Sequence, residues 1–156
     1  MTVSLRPVSE ADIDLFYAHQ QDPVAVWMAA FTSSDLADRA AFGARWRRIL
    51  SEASIRVRTV VADETAVGHV LRYAVDGHPE VSFWLGREHW GRGHATAALA
   101  LFLAELPERP VHARVAQDNV GSVAVLQHNG FVVVGQDANP AAGRQEVVRE
   151  YLMALR

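Results

Sequence analysis

The stretch Glu80-Val81-Ser82-Phe83-Trp84-Leu85, followed shortly by Trp90-Gly91-Arg92-Gly93-His94-Ala95-Thr96, decides how this chain is read. The first segment is an apolar strand, and the second is a glycine turn that opens an almost wholly apolar helix. Two glycines flanking one residue let the backbone curl until successive N–H groups point into one space. The helix then starts with its first amides unpaired and the positive end of its dipole facing that hollow. An anion, most often a phosphate, suits such a place. A tight strand-to-helix turn also needs glycine for steric reasons alone, so the turn by itself leaves both readings open.

A second stretch bears on the choice: Asn119-Val120-Gly121-Ser122-Val123-Ala124-Val125-Leu126-Gln127-His128-Asn129-Gly130-Phe131. Asn119 is a natural N-cap for a short helix ending near Asn129, and Gly130 supplies its C-cap. Together the two stretches resemble the GNAT superfamily of acyl-coenzyme A N-acyltransferases. That family's signature is Gln/Arg-x-x-Gly-x-Gly/Ala after the fourth strand, partnered by an Asn-x-x-Ser/Ala helix that ends in Gly-Phe. Trp90 stands where Gln or Arg is commoner, a wording similar to the branch of ribosomal-protein Nα-acetyltransferases. The resemblance runs from Leu5 to the C-terminus. It implies an α+β, GNAT-like fold with a mixed, mostly antiparallel sheet of about six to seven strands and about four helices.

Length and composition bound the rest. With 156 residues, half of them hydrophobic and about a fifth charged, residues 1–156 form one domain able to bury a core. No apolar run approaches the roughly 20 residues of a membrane span. The start, Met1-Thr2-Val3-Ser4-Leu5-Arg6, lacks the basic head and apolar core of a signal peptide. There is no cysteine, hence no disulfide framework and no thiol nucleophile. A cytoplasmic location is expected. A net charge of −3 leaves no electrostatic footprint for nucleic acid.

Along the chain, Thr2 to Pro7 reads as an opening strand. Ser9 and Asp12 signal a helix that carries Ile13, Phe16 and Tyr17 on one face. Asp22-Pro23 breaks it. Val24 to Phe31 is apolar and reads as a loop or a short helix; the resemblance makes it the rim of the acceptor site. Thr32-Ser33-Ser34-Asp35 offers caps for the next helix, with Leu36, Ala40, Trp46, Ile49 and Leu50 as its buried stripe. Ile55 to Ala62 and Ala66 to Ala74 pair as a hairpin. Asp76 to Pro79 then leads to the strand at Glu80. After the apolar helix from His94 to Leu106 come a strand at Val111 to Val115, the Asn119 helix, and closing strands at Phe131 to Val134 and Val147 to Leu155. A flexible loop, Asn139 to Gly143, separates the last two.

The resemblance implies acetyl-coenzyme A as co-substrate and direct transfer of its acetyl group to a primary amine within a ternary complex. The acceptor would be a small molecule or a protein N-terminus, and relatives are often homodimers through the closing strands. Main-chain amides from Trp90 through Gly91, Arg92, Gly93, His94 and Ala95 to Thr96 would receive the pyrophosphate. Arg92 and His94 would be free to vary or to add side-chain contacts. Phe83, Trp84 and Leu85 would pair with the pantetheine arm, because in the family this strand and the one at Val111 splay apart. Asn119 is a helix cap by residue type, and by resemblance also a partner of the pantetheine arm. Ser122 is either a small helix residue or the donor that protonates the thiolate. Many relatives place a tyrosine acid where this chain has Leu126, which leaves Ser122 or water. Glu80 is the candidate base, acting directly or through a water, since a carboxylate against apolar walls is a stronger base near neutral pH. Its alternative is a solvent-facing strand residue, and His78 is the second candidate base.

The seven histidines show no H-x-x-x-H pair and no carboxylates at ligand spacing, so no metal is expected. Trp27 and Trp84 are candidates for the acceptor pocket by fold analogy. A non-catalytic acyl-coenzyme A-binding or sensing module is the alternative to an enzyme. Dinucleotide binding of the Rossmann type is disfavoured: no third glycine is in register, and Glu105 comes too early for the ribose.

Overall fold

The computed structural model describes residues 2–156. Among the described residues seven strands form one sheet in the order β1-β2-β3-β4-β5-β7-β6. The chain runs β1 (Val3–Arg6), α1 (Glu10–His19), α2 (Pro23–Ala29), α3 (Arg39–Ser51), β2 (Arg56–Ala62), β3 (Thr65–Val75) and β4 (His78–Leu85). It continues with a 3-10 turn (Arg87–His89), α4 (His94–Glu105), β5 (Val111–Ala116), α5 (Val120–His128), β6 (Val132–Ala141) and β7 (Glu146–Leu155). Every neighbouring pair is antiparallel except β4 with β5.

The pleat of the sheet sorts most of its apolar residues into two large cores, beside a small third cluster of Ala30, Ala116, Ala141 and Val148. Val70 and Leu71 are successive on β3, and they fall in different clusters. On one face Val60, Val81, Val111 and Met153 meet Leu99 and Phe102 of α4, all buried. On the other, Ile13 and Phe16 of α1 meet Phe42 and Trp46 of α3. Each large side chain so buried contributes about 1.5–3 kcal/mol before entropy is subtracted. Among the described residues no helix is long and apolar enough to cross a membrane.

Several local expectations need correction. Among the described residues there are five helices, one of them the short helix read as one of two alternatives for Val24 to Phe31, which runs Pro23–Ala29. Pro23 sits in the first turn, where its missing N–H costs nothing, and Asp22 accepts from the amides of Val24 and Ala25. The helix α3 starts at Arg39, capped by Asp38, and not at the Thr32–Asp35 run. Its buried stripe is therefore Phe42, Gly43 and Trp46, while Ala40 and Leu50 are exposed. The β3–β4 turn is only Asp76-Gly77, both with positive φ as a two-residue type I′ hairpin demands, so His78 and Pro79 belong to the strand. Likewise Asn139 to Ala141 extend β6, where Pro140 opposite Val147 is tolerated because β6 is an edge strand.

Candidate active site

The site begins where two parallel strands part. β4 pairs with β3 along its whole length but with β5 only at Glu80–His112. The Gly86 amide donates to Val67 O, toward β3. Backbone direction alternates along a strand, so the N–H groups of Phe83 and Leu85 point the other way, into the gap beside β5. The Trp90 indole Nε1 donates to Leu85 O at 2.9 Å, which joins the end of this open edge to the start of the glycine turn.

In the turn, Gly91 and Gly93 have φ of 72° and 81°. Both lie in the left-handed region, where an L side chain is strained. Gly93 is also the N-cap of α4 and brings no side chain to it. The other helices differ. A carboxylate or amide of Asp22, Asp38 or Asn119 caps α2, α3 and α5, and at α1 Asp12 accepts the Ser9 amide at 2.8 Å. The first bonded amide of α4 is Ala97, donating to Gly93 O, so those of His94, Ala95 and Thr96 have no partner in the helix. This arrangement fits a diphosphate.

Turn, open edge and the first turn of α5 enclose a cleft of about 350 Å³. Phe83, Trp84, Leu85, Trp90, Gly91, Gly93, His94, Ala95, Thr96, Asn119 and Ser122 all line it. Arg92 does not, and His94, which does, is buried. Sequence reasoning missed the wall supplied by α2, namely Ala25, Met28 and Ala29. Asn129 holds the cleft's two helices together: its Nδ2 donates to Thr96 O and Val125 O at 3.2 and 3.0 Å.

A second cavity of about 470 Å³ lies on the α1–α3 side of the sheet. Ala29, Phe83, Trp84, Asn119 and Ser122 line both, so the two meet at the splayed strands. Asn119 keeps its capping role, accepting the Ser122 amide at 3.3 Å, while it lines both cavities. Leu126, where the resemblance implies a tyrosine in many relatives, is buried in the second cavity's wall. Of the two tryptophans expected at the acceptor pocket, Trp84 lines both cavities and Trp27 lines neither: it is half exposed beneath the Arg144 guanidinium.

Glu80 is buried, not solvent-facing. Its neighbour is a guanidinium, and apolar walls do not enclose it alone. Arg114 Nε lies 3.4 Å from Glu80 Oε1, and Arg114 Nη1 lies 3.2 Å from Glu150 Oε1. The Glu80 contact is an ion pair without hydrogen-bond geometry, since Oε1 accepts no hydrogen bond among the described residues. Arg114, Glu150 and Tyr73 line the second cavity, whereas Glu80 stands behind Arg114. Burial, and then the Glu80 charge, raise the Tyr73 pKa. His78 is exposed and its ring lies 5.9 Å from that of His112, outside both cavities. Only the polar alternation on β5 signalled Arg114, and Glu150 carried no local signal.

Residues 2–132 match the acetyltransferase (GNAT) domain family. Among solved structures, the chain is similar to spermidine N-acetyltransferase from Vibrio cholerae in complex with CoA and spermine. That match has a TM-score of 0.82 at 16% identity, over 98% of this chain and 94% of the other. It is also similar to RimL, a ribosomal L7/L12 alpha-N-protein acetyltransferase in complex with coenzyme A, with a TM-score of 0.80 at 14% identity over 97% and 93% of the two chains. RimJ of Mycobacterium smegmatis, in complex with CoA-disulfide, gives 0.78 at 22% identity over 98% and 81%. A search of the curated proteins returns no match. With its glycine turn, uncapped helix and parted strands inside a matched domain, the chain belongs to the GNAT acetyltransferase family and is an acetyl-coenzyme A-dependent N-acetyltransferase.

Proposed function

We propose that the protein moves an acetyl group directly from the thioester to a primary amine while both substrates are bound. The observation that carries this reading is the meeting of two cavities at the open edge of β4. One takes the coenzyme, with the amides of the turn and of His94 to Thr96 toward its pyrophosphate and the edge of Phe83 to Leu85 toward its pantetheine arm. The other admits the amine, borne by a small molecule or a protein N-terminus. Holding the two reactants together supplies much of the acceleration, so no strongly activated nucleophile is required.

Within that arrangement an amide of the β4 edge donates to the oxygen that becomes negative as the amine attacks. Glu80 takes the ammonium proton through a water, since Arg114 stands between it and the cavity. Ser122, at the wall common to both cavities, returns a proton to the departing thiolate. A second copy of the chain would pair at the outer edge β6, which exposes Val132, Val133 and Val134.

Thiol release from acetyl-coenzyme A over a panel of free amines, amino acids and short peptides tests the reading. The chain contains no lysine, so release does not report self-acetylation at a lysine Nε. Glu80→Gln should lower kcat at least tenfold with little change in the KM for acetyl-coenzyme A. Glu150→Gln should act mainly on the KM of the amine. Tight coenzyme binding without turnover on any amine would overturn the catalytic reading, and an unchanged kcat in Glu80→Gln would remove Glu80 from it.

A further inference from the structure

The histidine spacing of the sequence gives no metal motif, yet the fold gathers His19, Glu88 and His89 at the rim of the cofactor cleft. Their ligand atoms all lie within 4.8 Å of one another, with Glu88 Oε1 at 4.0 Å from His19 Nε2 and 3.5 Å from His89 Nε2. We propose that these three side chains form a binding site for a divalent transition cation of the zinc class, separate from the acyl-transfer chemistry.

His19 closes α1, whereas Glu88 and His89 lie in the 3-10 turn that leads into Trp90 and the glycine turn. A cation there would tie the end of one helix to the approach of the phosphate cradle. His19 is 7% exposed, and among the described residues neither of its ring nitrogens has a hydrogen-bond partner. Buried imidazole nitrogens ordinarily find one, and a metal ion satisfies the same lone pair. The backbone makes room for this ring: a Cβ on Gly86 would stand 2.5 Å from His19 Nε2. Arg87, the cation nearest in sequence, turns away to Asp22 at 2.7 Å and leaves the Glu88 carboxylate to the two imidazoles.

Two imidazoles and a carboxylate suit Zn²⁺, Co²⁺ or Ni²⁺ better than a hard cation, which prefers oxygen alone. Tetrahedral bonds of about 2.0–2.1 Å place ligand atoms about 3.3 Å apart, so the widest pair, within 4.8 Å here, must close by up to about 1.5 Å. Glu88, with its side chain 68% exposed, and His89 supply that movement by torsion while His19 stays fixed. Three protein ligands leave one position open for water.

The test uses chelator-treated full-length protein titrated with Zn²⁺ by calorimetry and with Co²⁺ by visible absorption. One equivalent should bind, and saturating Zn²⁺ should raise the melting temperature. Affinity should fall at least tenfold in both Glu88→Gln and His89→Asn, and should persist when the other close histidine pair is removed in His78→Asn/His112→Asn. Glu88 is exposed, so its variant keeps the fold and reads ligation alone. No binding by the parent protein, or an unchanged affinity in either site variant, would overturn the proposal. Because every readout is metal binding or melting, failure here would leave the acyltransferase reading untouched.

Discussion

The Trp90 indole donates to the main-chain oxygen of Leu85 at 2.9 Å, and through that bond the open strand edge and the glycine turn are held at a set spacing. The residue that departs from the commoner Gln or Arg of the family signature is still a hydrogen-bond donor here. Trp90→Phe keeps an aromatic ring and deletes the donor. A net hydrogen bond is worth about 1 kcal/mol, so the Kd for coenzyme A should rise about fivefold. Calorimetry measures this directly, and an unchanged Kd would show that the spacing does not depend on the bond.

Gly93 holds φ at 81° and caps α4 with backbone alone. Replacing it with alanine forces an L side chain into the left-handed region at a cost of about 1–2 kcal/mol. The strain falls on the amides that face the cleft. Gly93→Ala should weaken coenzyme A binding at least tenfold while lowering the melting temperature by only a few degrees. If stability collapses and affinity in the remaining folded protein is normal, the glycine serves the fold and not the anion.

Arg144 clamps α2 against the rest of the cleft. Its Nε donates to Trp27 O at 2.7 Å, its Nη atoms reach both Asp118 oxygens at 2.7 Å, and its Cζ lies 3.8 Å from the Trp27 ring centroid. Gly143 beside it donates to Ala30 O at 2.8 Å. Because the fork is bidentate and stacked, lysine cannot replace it. Both Arg144→Ala and Arg144→Lys should raise the KM for acetyl-coenzyme A several-fold, since α2 carries Ala25, Met28 and Ala29 of the cleft wall. Steady-state kinetics decides, and a normal KM in the lysine variant would refute the clamp.

Acid should destabilise the fold in two stages. Burial, with His19 adding to it, pushes the His69 pKa down from 6.5 to about 3. The unfolded chain therefore takes up a proton that the fold refuses, and stability falls as pH drops through that window. Asp12 acts lower. Burial pushes its carboxyl up, but hydrogen bonds from Arg6, the Ser9 amide and Thr59 outweigh this and hold it below the carboxylate range. Its contribution is present above the unfolded pKa of 3.8 and is lost as pH falls below it. Melting temperature against pH should decline from about pH 6.5 and steepen below about pH 4. His69→Leu should flatten the upper part alone, and an unaltered slope there would exclude His69 as its source.

Much of the fold was legible because local rules and tertiary packing agree. Ser9 with Asp12, Asn119 and Gly130 each act over a few residues, and the structure uses them as read. Errors arose where signals competed. Thr32 to Asp35 offered several caps, but the helix starts behind Asp38, whose carboxylate accepts the Ala41 amide. Pro140 looked like a loop residue because nothing local says that β6 is an edge.

By itself, the sequence determined the glycine turn, the uncapped apolar helix and the strand before them, since backbone strain and missing side chains are properties of residue type. Only the tertiary structure decided that Arg114 would join Glu80 to Glu150, and that His19 would meet Glu88 and His89. Those groups come from separate strands and helices, and side chains so far apart in the chain meet only when register and packing bring their faces together.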